Sequence, residues 1–344
     1  MNRGRAGYCT GDGKTMAVVD LKTDPVSSWK QTVAESYAFL PYWWIRGVTP
    51  RSRQALMSHE LDKTLAVEET CLVGCLSDTG DLLGFAQMRR LEWDSNYFGF
   101  EIWRLDHLGT WDAAQNSAVA KNLVQGSLRA LRERGCQNLQ ANVPVDNLPT
   151  IHALEGSGFQ VMEVQTIWIF DLNRWSIPPK TNPGLIRDFE PADTEALVEL
   201  ARTAYVPIPH RFHVDPHLAP RVGNELWAAW MRNACSGQWA DHIAVAEDDG
   251  NAIGYSTMKY YGDRDGLCNA RIAQLDLGAM SPEFRNRGIV TDVVIHHLEW
   301  LERRQADFGL VGTQGNNIPP QRVWLKVGFK PATMRVTLHY WADG

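Results

Sequence analysis

A short basic segment in the second half of the chain has the residue types that bind phosphate. It runs Arg285-Asn286-Arg287-Gly288-Ile289-Val290, after a strand-like run and before a segment whose apolar period predicts a helix. A helix N-terminus carries unpaired backbone N–H groups and a partial positive charge, and glycine lets an anion approach the backbone closely. The segment therefore predicts a phosphate or pyrophosphate site. An ordinary basic turn is the alternative.

The chain carries the surrounding pattern twice, but only one copy has the basic loop. Three segments of the first half have a similar counterpart 170 positions later, for example position 254 for position 84. The pairs are Gly84-Phe85-Ala86-Gln87-Met88 with Gly254-Tyr255-Ser256-Thr257-Met258, Asn147-Leu148-Pro149 with Asn317-Ile318-Pro319, and Gly158-Phe159 with Gly328-Phe329. A constant spacing over separate segments indicates a duplicated domain. At that spacing the first copy reads Gln115-Asn116-Ser117-Ala118-Val119-Ala120. We therefore predict one working site, in the second half, and a helper domain in the first.

The length and the prolines predict where the domains begin and end. A chain of 344 residues accommodates two domains of ~170 residues each. Residues 173–184 include three prolines and predict a linker, because proline removes a hydrogen-bond donor and restricts the preceding residue. We predict a flexible N-terminus over residues 1–20, a degenerate domain over 21–172 and a catalytic domain over 185–344.

The second copy alternates strand and helix patterns. The predicted strands are 185–189, 243–247, 252–260, 273–280, 309–312 and a final region at 330–340; the predicted helices are 191–204, 226–231, 290–303 and 319–327. The apolar face of the third helix comprises Val290, Val293, Val294, Leu298 and Leu301. This order predicts an α/β (α+β) class, with a central mixed β-sheet flanked by helices in each domain.

Composition and charge exclude several classes of protein. The net charge of −6 argues against nucleic-acid binding, which normally uses a basic field. No run approaches the ~20 apolar residues of a membrane helix, and no signal-peptide pattern is present, so we expect a cytoplasmic protein without a membrane partner. The six cysteines are scattered, and the spacing of His210, His213 and His217 around Asp215 suits a loop. We therefore predict no metal site.

The basic loop, with Asn317 and then Gly328-Phe329 after it, resembles the GNAT acetyltransferase superfamily, whose loop reads Gln/Arg-x-x-Gly-x-Gly/Ala. Val290 stands where that family has glycine or alanine. The resemblance implies acetyl-CoA, or another acyl-CoA, as co-substrate, with its pyrophosphate on the loop N–H groups and its pantetheine paired along a strand. The implied acyl-CoA contacts are Gly278, Ala279, Met280, Arg285, Asn286, Arg287, Gly288, Ile289, Val290, Asn317 and Trp324.

Two further motifs are similar to those of the dTDP-fucosamine acetyltransferase type of GNAT protein. They are Arg211-Phe212-His213-Val214-Asp215-Pro216, before a helix with Trp227 and Trp230, and Trp93-Asp94-Ser95-Asn96-Tyr97-Phe98-Gly99. The similarity implies an amine acceptor on a small polar molecule, an amino sugar or its nucleotide. The implied substrate contacts are Arg211, His213, Asp215, Trp230, Trp93 and Phe98. For Trp227 and Trp230 the favoured alternative is a place in the interdomain core, and for the motif at 93–99 the seam between domains is an equal alternative.

Acyl transfer to an amine requires a base, because a free amine with a pKa of roughly 8 is mostly protonated at neutral pH. Alternation along the strand 273–280 places Gln274, Asp276 and Gly278 on one face, so Asp276 is the candidate base. Pairing with an arginine or capping a loop is the alternative role. The family's usual tyrosine acid is replaced by Trp324, whose indole does not release a proton. Three alternatives follow: the thiolate leaves with help from water, another group such as Tyr205 is the acid, or the reaction is not ordinary N-acetylation.

Three functions therefore remain open at this stage. The first is an N-acyltransferase that acts on an amino sugar. The second is a natural-product acyltransferase with a non-sugar or carrier-bound acceptor. The third is a non-catalytic acyl-CoA-binding protein.

Overall fold

The computed structural model describes residues 6–9, 15–23, 26–112, 115–204, 210–223 and 225–342. The chain forms two compact units. Unit 1 comprises Met1–Val164 together with Met334–Gly344, and unit 2 comprises Gln165–Thr333. Within the described ranges, none of the helices is long and apolar enough to cross a membrane.

Strands and helices alternate along most of the chain. The strands are β1 (Ala6–Cys9), β2 (Thr15–Asp20), β3 (Thr70–Leu76), β4 (Leu82–Arg90), β5 (Ile102–Thr110), β6 (Asn138–Pro144), β7 (Gln160–Asp171), β8 (Ile186–Asp188), β9 (His242–Asp248), β10 (Asn251–Tyr260), β11 (Ile272–Met280), β12 (Phe308–Gln314) and β13 (Lys330–Trp341). The helices are α1 (Trp29–Ser36), α2 (Pro50–Ala66), α3 (Glu92–Phe98), α4 (Asn116–Arg132), α5 (Leu148–Glu155), α6 (Thr194–Ala204), α7 (Arg211–Val214), α8 (Glu225–Cys235), α9 (Ile289–Arg303) and α10 (Ile318–Val327).

Unit 1 is built on a mixed sheet. Its described strands follow the order β1-β2-β3-β4-β5-β6-β13, antiparallel except for the parallel pair β5 and β6. Helix α4 covers this sheet with an apolar face that repeats at helical spacing, and its side chains Val119, Leu123, Val124 and Leu131 are buried. Burial of this face stabilises the helix against the sheet, because apolar surface leaves water.

Unit 2 repeats the same architecture. Its described strands follow the order β8-β9-β10-β11-β12-β7, antiparallel except for the parallel pair β11 and β12. Helix α9 buries Val293, Val294, Leu298 and Leu301, as the sequence predicts. Val290 is 36% exposed instead, because it lies in the first turn of α9, beside the loop. The predicted α/β class, with a mixed sheet and helices in each of two repeats, is confirmed.

The last strand of each sheet comes from outside the domain boundaries predicted from the sequence. In unit 1, β6 pairs with Arg335–Trp341 of β13, near the C-terminus. In unit 2, β12 pairs with Gln165–Asp171 of β7, which precedes the predicted linker. The compact units therefore begin and end at other residues than 21–172 and 185–344. Strand patterns in a sequence show where a strand lies but not which neighbour it pairs with.

Candidate active site

The basic loop connects β11 to α9 and has the backbone of an anion site. Asn286 and Gly288 both have positive φ angles, 63° and 82°. Gly288 is the N-cap of α9, which begins at Ile289, and no side-chain hydrogen bond caps this described helix end. The left-handed turn at Gly288 brings the chain into α9 without a Cβ to obstruct an approaching group. These features fit a site where first-turn N–H groups meet an external phosphate.

The two arginines of the loop have different surroundings. The Arg285 guanidinium donates to the backbone carbonyl oxygens of Met280, at 3.1 Å, and Ala204, at 3.3 Å. Its side chain therefore braces the loop against α6. Arg287 is exposed, and its guanidinium carbon lies 5.0 Å from the centre of the Phe284 ring. Arg287 is consequently the better placed of the two for charge attraction to a phosphate.

The parallel ladder between β11 and β12 ends halfway along β11. The last paired residues are Leu275 and Val311, whereas β11 continues to Met280 beside β10. Gly278 is exposed, and a Cβ built there would find its nearest neighbour, a Ser256 side-chain atom, at 3.6 Å. The second half of β11 therefore has room for an extended group to lie along it.

Asp276 lies in this part of β11 and has a raised pKa. The residue is exposed, yet surrounding protein atoms reduce the hydration of the carboxyl and raise its pKa to about 6. A hydrogen bond from Gln274 Nε2 to Oδ1, at 2.9 Å, and the charge of Lys259 oppose this rise. Among the described contacts its partner is therefore an amide, not the arginine of the alternative interpretation.

Asn317, Trp324 and Tyr205 are the remaining residues that the sequence predicts for binding the acyl donor or for catalysis. The Asn317 side-chain amide donates to Thr313 Oγ1 at 2.9 Å, just after β12 ends its pairing with β11. Trp324 is only 6% exposed, and its ring centre lies 6.1 Å from that of Trp168 in the core of unit 2. This burial favours a core role over the predicted contact with the acyl donor. Tyr205 lies outside the described residues.

The motif around α7 forms an aromatic cluster in unit 2. Its rings are His210, Phe212, His213, Trp227, Trp230 and Trp239. The Arg211 guanidinium lies 4.4 Å above the Phe212 ring. Trp230 and His213 retain exposed surface, whereas Trp227 is buried. The structure therefore brings together three of the predicted substrate contacts, Arg211, His213 and Trp230, in one partly exposed cluster.

Asp215 shapes the chain next to this cluster. Its side chain is fully buried, and Oδ1 accepts the backbone N–H of His217 at 2.9 Å. Trp93 and Phe98 belong to α3 of unit 1, where the Trp93 ring stacks on Tyr97 and Phe98 is 8% exposed. Asp215 and Phe98 are thus packed within their own units, and the predicted contacts of Asp215, Trp93 and Phe98 with substrate stay predictions.

The corresponding region of unit 1 is closed. Helix α4 begins at Asn116, so the residues equivalent to the basic loop form a first helical turn. The Asn147 amide, equivalent to Asn317, donates to the Leu108 carbonyl of β5 at 3.2 Å. A Cβ at Gly109, equivalent to Ala279, would lie 2.5 Å from the buried Tyr37 ring. Unit 1 thus has neither the loop nor the space found in unit 2.

One residue at the loop was missed by the sequence analysis. Asp292 is fully buried in α9, and its carboxylate accepts hydrogen bonds from both backbone N–H groups and both side chains of Thr181 and Asn182. These bonds lower the pKa of the Asp292 carboxyl despite its desolvation. The prolines marked this segment as a linker, but no sequence pattern showed that it folds against α9 beside Gly288.

Comparison with known proteins identifies the family. The sequence model of the acetyltransferase (GNAT) family matches residues 35–159 and 195–329. The chain belongs to this family. It contains two GNAT domains and is a GNAT-family N-acetyltransferase, as its sequence motifs predict. Members of this family use acetyl-CoA as co-substrate.

Three similar proteins give further context. The chain is 26% identical over 234 residues to the spore coat polysaccharide biosynthesis protein SpsD of Bacillus subtilis (strain 168), covering 67% of this chain and 75% of that protein. A glucosamine N-acetyltransferase region of a fungal multi-domain β-N-acetylglucosaminidase has a TM-score of 0.63 at 14% identity, covering 95% of this chain and only 38% of that chain. A tandem GNAT protein from the clavulanic acid biosynthesis pathway has a TM-score of 0.57 at 14% identity, and the match covers 96% of this chain and 99% of that chain. The two structures share the fold with this chain.

Proposed function

We propose that unit 2 transfers an acyl group, in the first instance acetyl, from acyl-CoA to the primary amine of an amino sugar or its nucleotide. Unit 1 is a degenerate copy that binds no CoA. The observation that carries this proposal is the position of Asp276. Its carboxyl, with a pKa of about 6, lies on the part of β11 that extends beyond the ladder with β12, and β11 leads directly into the Gly288 loop.

The donor is held by backbone groups in this proposal. The first-turn N–H groups of α9 and the exposed Arg287 bind the pyrophosphate, and the Gly288 turn admits it close to the chain. The pantetheine arm lies along Gly278 to Met280, where β11 is no longer paired with β12. A backbone donor in the same segment stabilises the charge that develops on the thioester oxygen.

Asp276 supplies the base. A carboxyl with a pKa of about 6 is mostly ionised at neutral pH and still accepts a proton, directly or through a water, from the attacking amine. The leaving thiol has an ordinary pKa of ~8.5, so its thiolate leaves at neutral pH and takes a proton from solvent. Trp324 contributes no acid because its indole N–H does not release a proton.

The choice of acceptor rests on the relatives and on the aromatic cluster around α7. The related SpsD is named for polysaccharide biosynthesis, and the fungal region for glucosamine N-acetylation. Arg211, His213 and Trp230 combine a cation, a hydrogen-bonding ring and an aromatic surface, which suit a polar sugar. A natural-product acceptor is the second candidate, favoured by the likeness to the clavulanic acid pathway protein.

Calorimetric titration with acetyl-CoA tests the donor half of the proposal. We expect one site per chain, lost in Arg287→Glu and weakened in Gly288→Ala. Two sites, or a site insensitive to both changes, would show that the loop is assigned wrongly. Thiol release measured over a panel of amino sugars, their nucleotides and non-sugar amines then tests the acceptor. Binding of acetyl-CoA without release for any amine would favour a non-catalytic acyl-CoA-binding protein.

A further inference from the structure

Three side chains with metal-binding donor atoms meet in unit 2, on elements other than β11. Asp188 lies on β8, His242 on β9 and His296 on α9, and within the described residues one donor atom of each lies within 4.8 Å of the other two. The Nε2 atoms of His242 and His296 lie 2.9 Å and 2.7 Å from the same oxygen, Oδ1 of Asp188. Two imidazoles and a carboxylate that converge on one point form a donor set that suits Zn²⁺.

The surrounding residues hold the His242 ring in this orientation. The ring stacks on Trp300, with centres 4.7 Å apart and planes 9° from parallel. Its Nδ1 atom lies 2.9 Å from Nδ1 of the buried His297. Metal-binding histidines are oriented in this way by a partner on their second nitrogen.

We propose that Asp188, His242 and His296 bind a first-row divalent metal ion, with Zn²⁺ as the best match. Bonds of ~2.0–2.2 Å in a tetrahedral arrangement separate two ligand atoms by ~3.3 Å. The present separations of 2.9 Å and 2.7 Å are those of hydrogen bonds, so the carboxylate must move outward by about half an ångström. The Asp188 side chain is 62% exposed at the end of a three-residue strand, where this movement is unobstructed by core packing.

Metal binding changes which ring nitrogen carries a proton. In the metal-free protein the Nε2 atom of each ring lies at hydrogen-bond distance from Asp188, and once Nε2 binds the ion the ring N–H lies on Nδ1. For His242 the hydrogen bond to His297 reverses its direction and is kept. For His296 the Nδ1 atom lies 2.9 Å from Lys180 Nζ, which also donates to Glu299 at 2.6 Å. Lys180 therefore competes with the ion, and binding leaves it paired with Glu299 alone.

The competition by Lys180 makes the proposal testable in two directions. The full chain is treated with EDTA, dialysed and titrated calorimetrically with ZnCl₂, with bound zinc counted by elemental analysis. We expect one saturable site. Asp188→Asn and His296→Gln should weaken it by more than the ~10–100-fold that loss of an outer partner costs. Lys180→Met should tighten it several-fold, because it removes the competing donor and its charge.

Matched variants distinguish this site from non-specific binding. His217→Gln removes an exposed histidine from residues 210–217, outside the proposed site in unit 2, and should leave zinc affinity unchanged. Circular dichroism checks that every variant is folded. Absorption of the Co²⁺-loaded chain gives a second readout, because four-coordinate Co²⁺ has a distinctive visible spectrum that Asp188→Asn should abolish. No saturable site, affinity unchanged in Asp188→Asn and His296→Gln, or weaker binding in Lys180→Met would each overturn the proposal.

Discussion

Asp106 and Asp276 occupy equivalent positions in the two units, each at a bulge where the register with the preceding strand shifts. Asp106 accepts hydrogen bonds from Arg89, at 2.9 Å, and Arg104, at 2.7 Å. Desolvation would raise its pKa, but the two cations lower it. In unit 2 the residue equivalent to Arg104 is Gln274, which is uncharged, and the pKa of Asp276 rises to about 6. The same carboxyl is therefore locked as an anion in unit 1 and able to exchange a proton in unit 2.

This relationship predicts opposite effects for one substitution made in each unit. Asp276→Asn should lower kcat/KM by ~10²–10⁴-fold, the usual contribution of a positioned base, with little change in stability. Asp106→Asn should leave kcat/KM unchanged and lower the free energy of unfolding by ~1–3 kcal/mol, because two arginines lose a charged acceptor. Steady-state kinetics and urea unfolding of both variants provide the comparison. Equal loss of activity in both would contradict the assignment of unit 2 as the working copy.

The pKa of Asp276 predicts the acid limb of the pH profile. The carboxyl acts as a base only when ionised, so log kcat/KM should fall as the pH drops through about 6. Gln274→Leu removes a hydrogen bond that favours the ionised form, so the limb should move to higher pH. Lys259→Met should move it in the same direction by less. A profile that stays unchanged in Gln274→Leu would assign the limb to another group.

The Gly288 turn predicts a defect in donor binding. Gly288→Ala places a Cβ at a φ of 82°, which costs ~1 kcal/mol of stability and changes the start of α9. The KM for acetyl-CoA should therefore rise. Gly250, in the hairpin between β9 and β10, has a φ of 78° and no atom within 4 Å of its Cβ position. Gly250→Ala is thus the matched control, with the same loss of stability and an unchanged KM.

The buried carboxylate of Asp292 predicts a pH-dependent contribution to stability. Asp292→Asn should lower the free energy of unfolding by ~1.5–3 kcal/mol at pH 7, because the hydrogen bonds from Thr181 and Asn182 lose their charged acceptor. Its folded pKa is lowered, so this contribution is complete above the unfolded value and is lost as the pH falls through the folded value. The difference between wild type and variant in urea unfolding should therefore shrink below about pH 4. Glu302→Gln, at an exposed position of α9, should show no such difference.

The sequence by itself determined the duplication, the fold class and the location of the loop. Apolar spacing placed Val293, Val294, Leu298 and Leu301 on the buried face of α9, because a helix has one core-facing side whatever its neighbours are. Likewise, glycine at position 288 already indicated a loop whose backbone an anion can approach closely.

The tertiary structure decided which strands pair and which groups meet. No local pattern shows that β13 pairs with β6 and β7 with β12, because strand pairing is a long-range choice. The buried position of Trp324 and the brace formed by Arg285 follow from packing between distant elements. The proton affinity of Asp276 depends on desolvation and on Gln274, both set by the folded sheet. The convergence of Asp188, His242 and His296 arises in the same way, since β8, β9 and α9 are far apart in the chain.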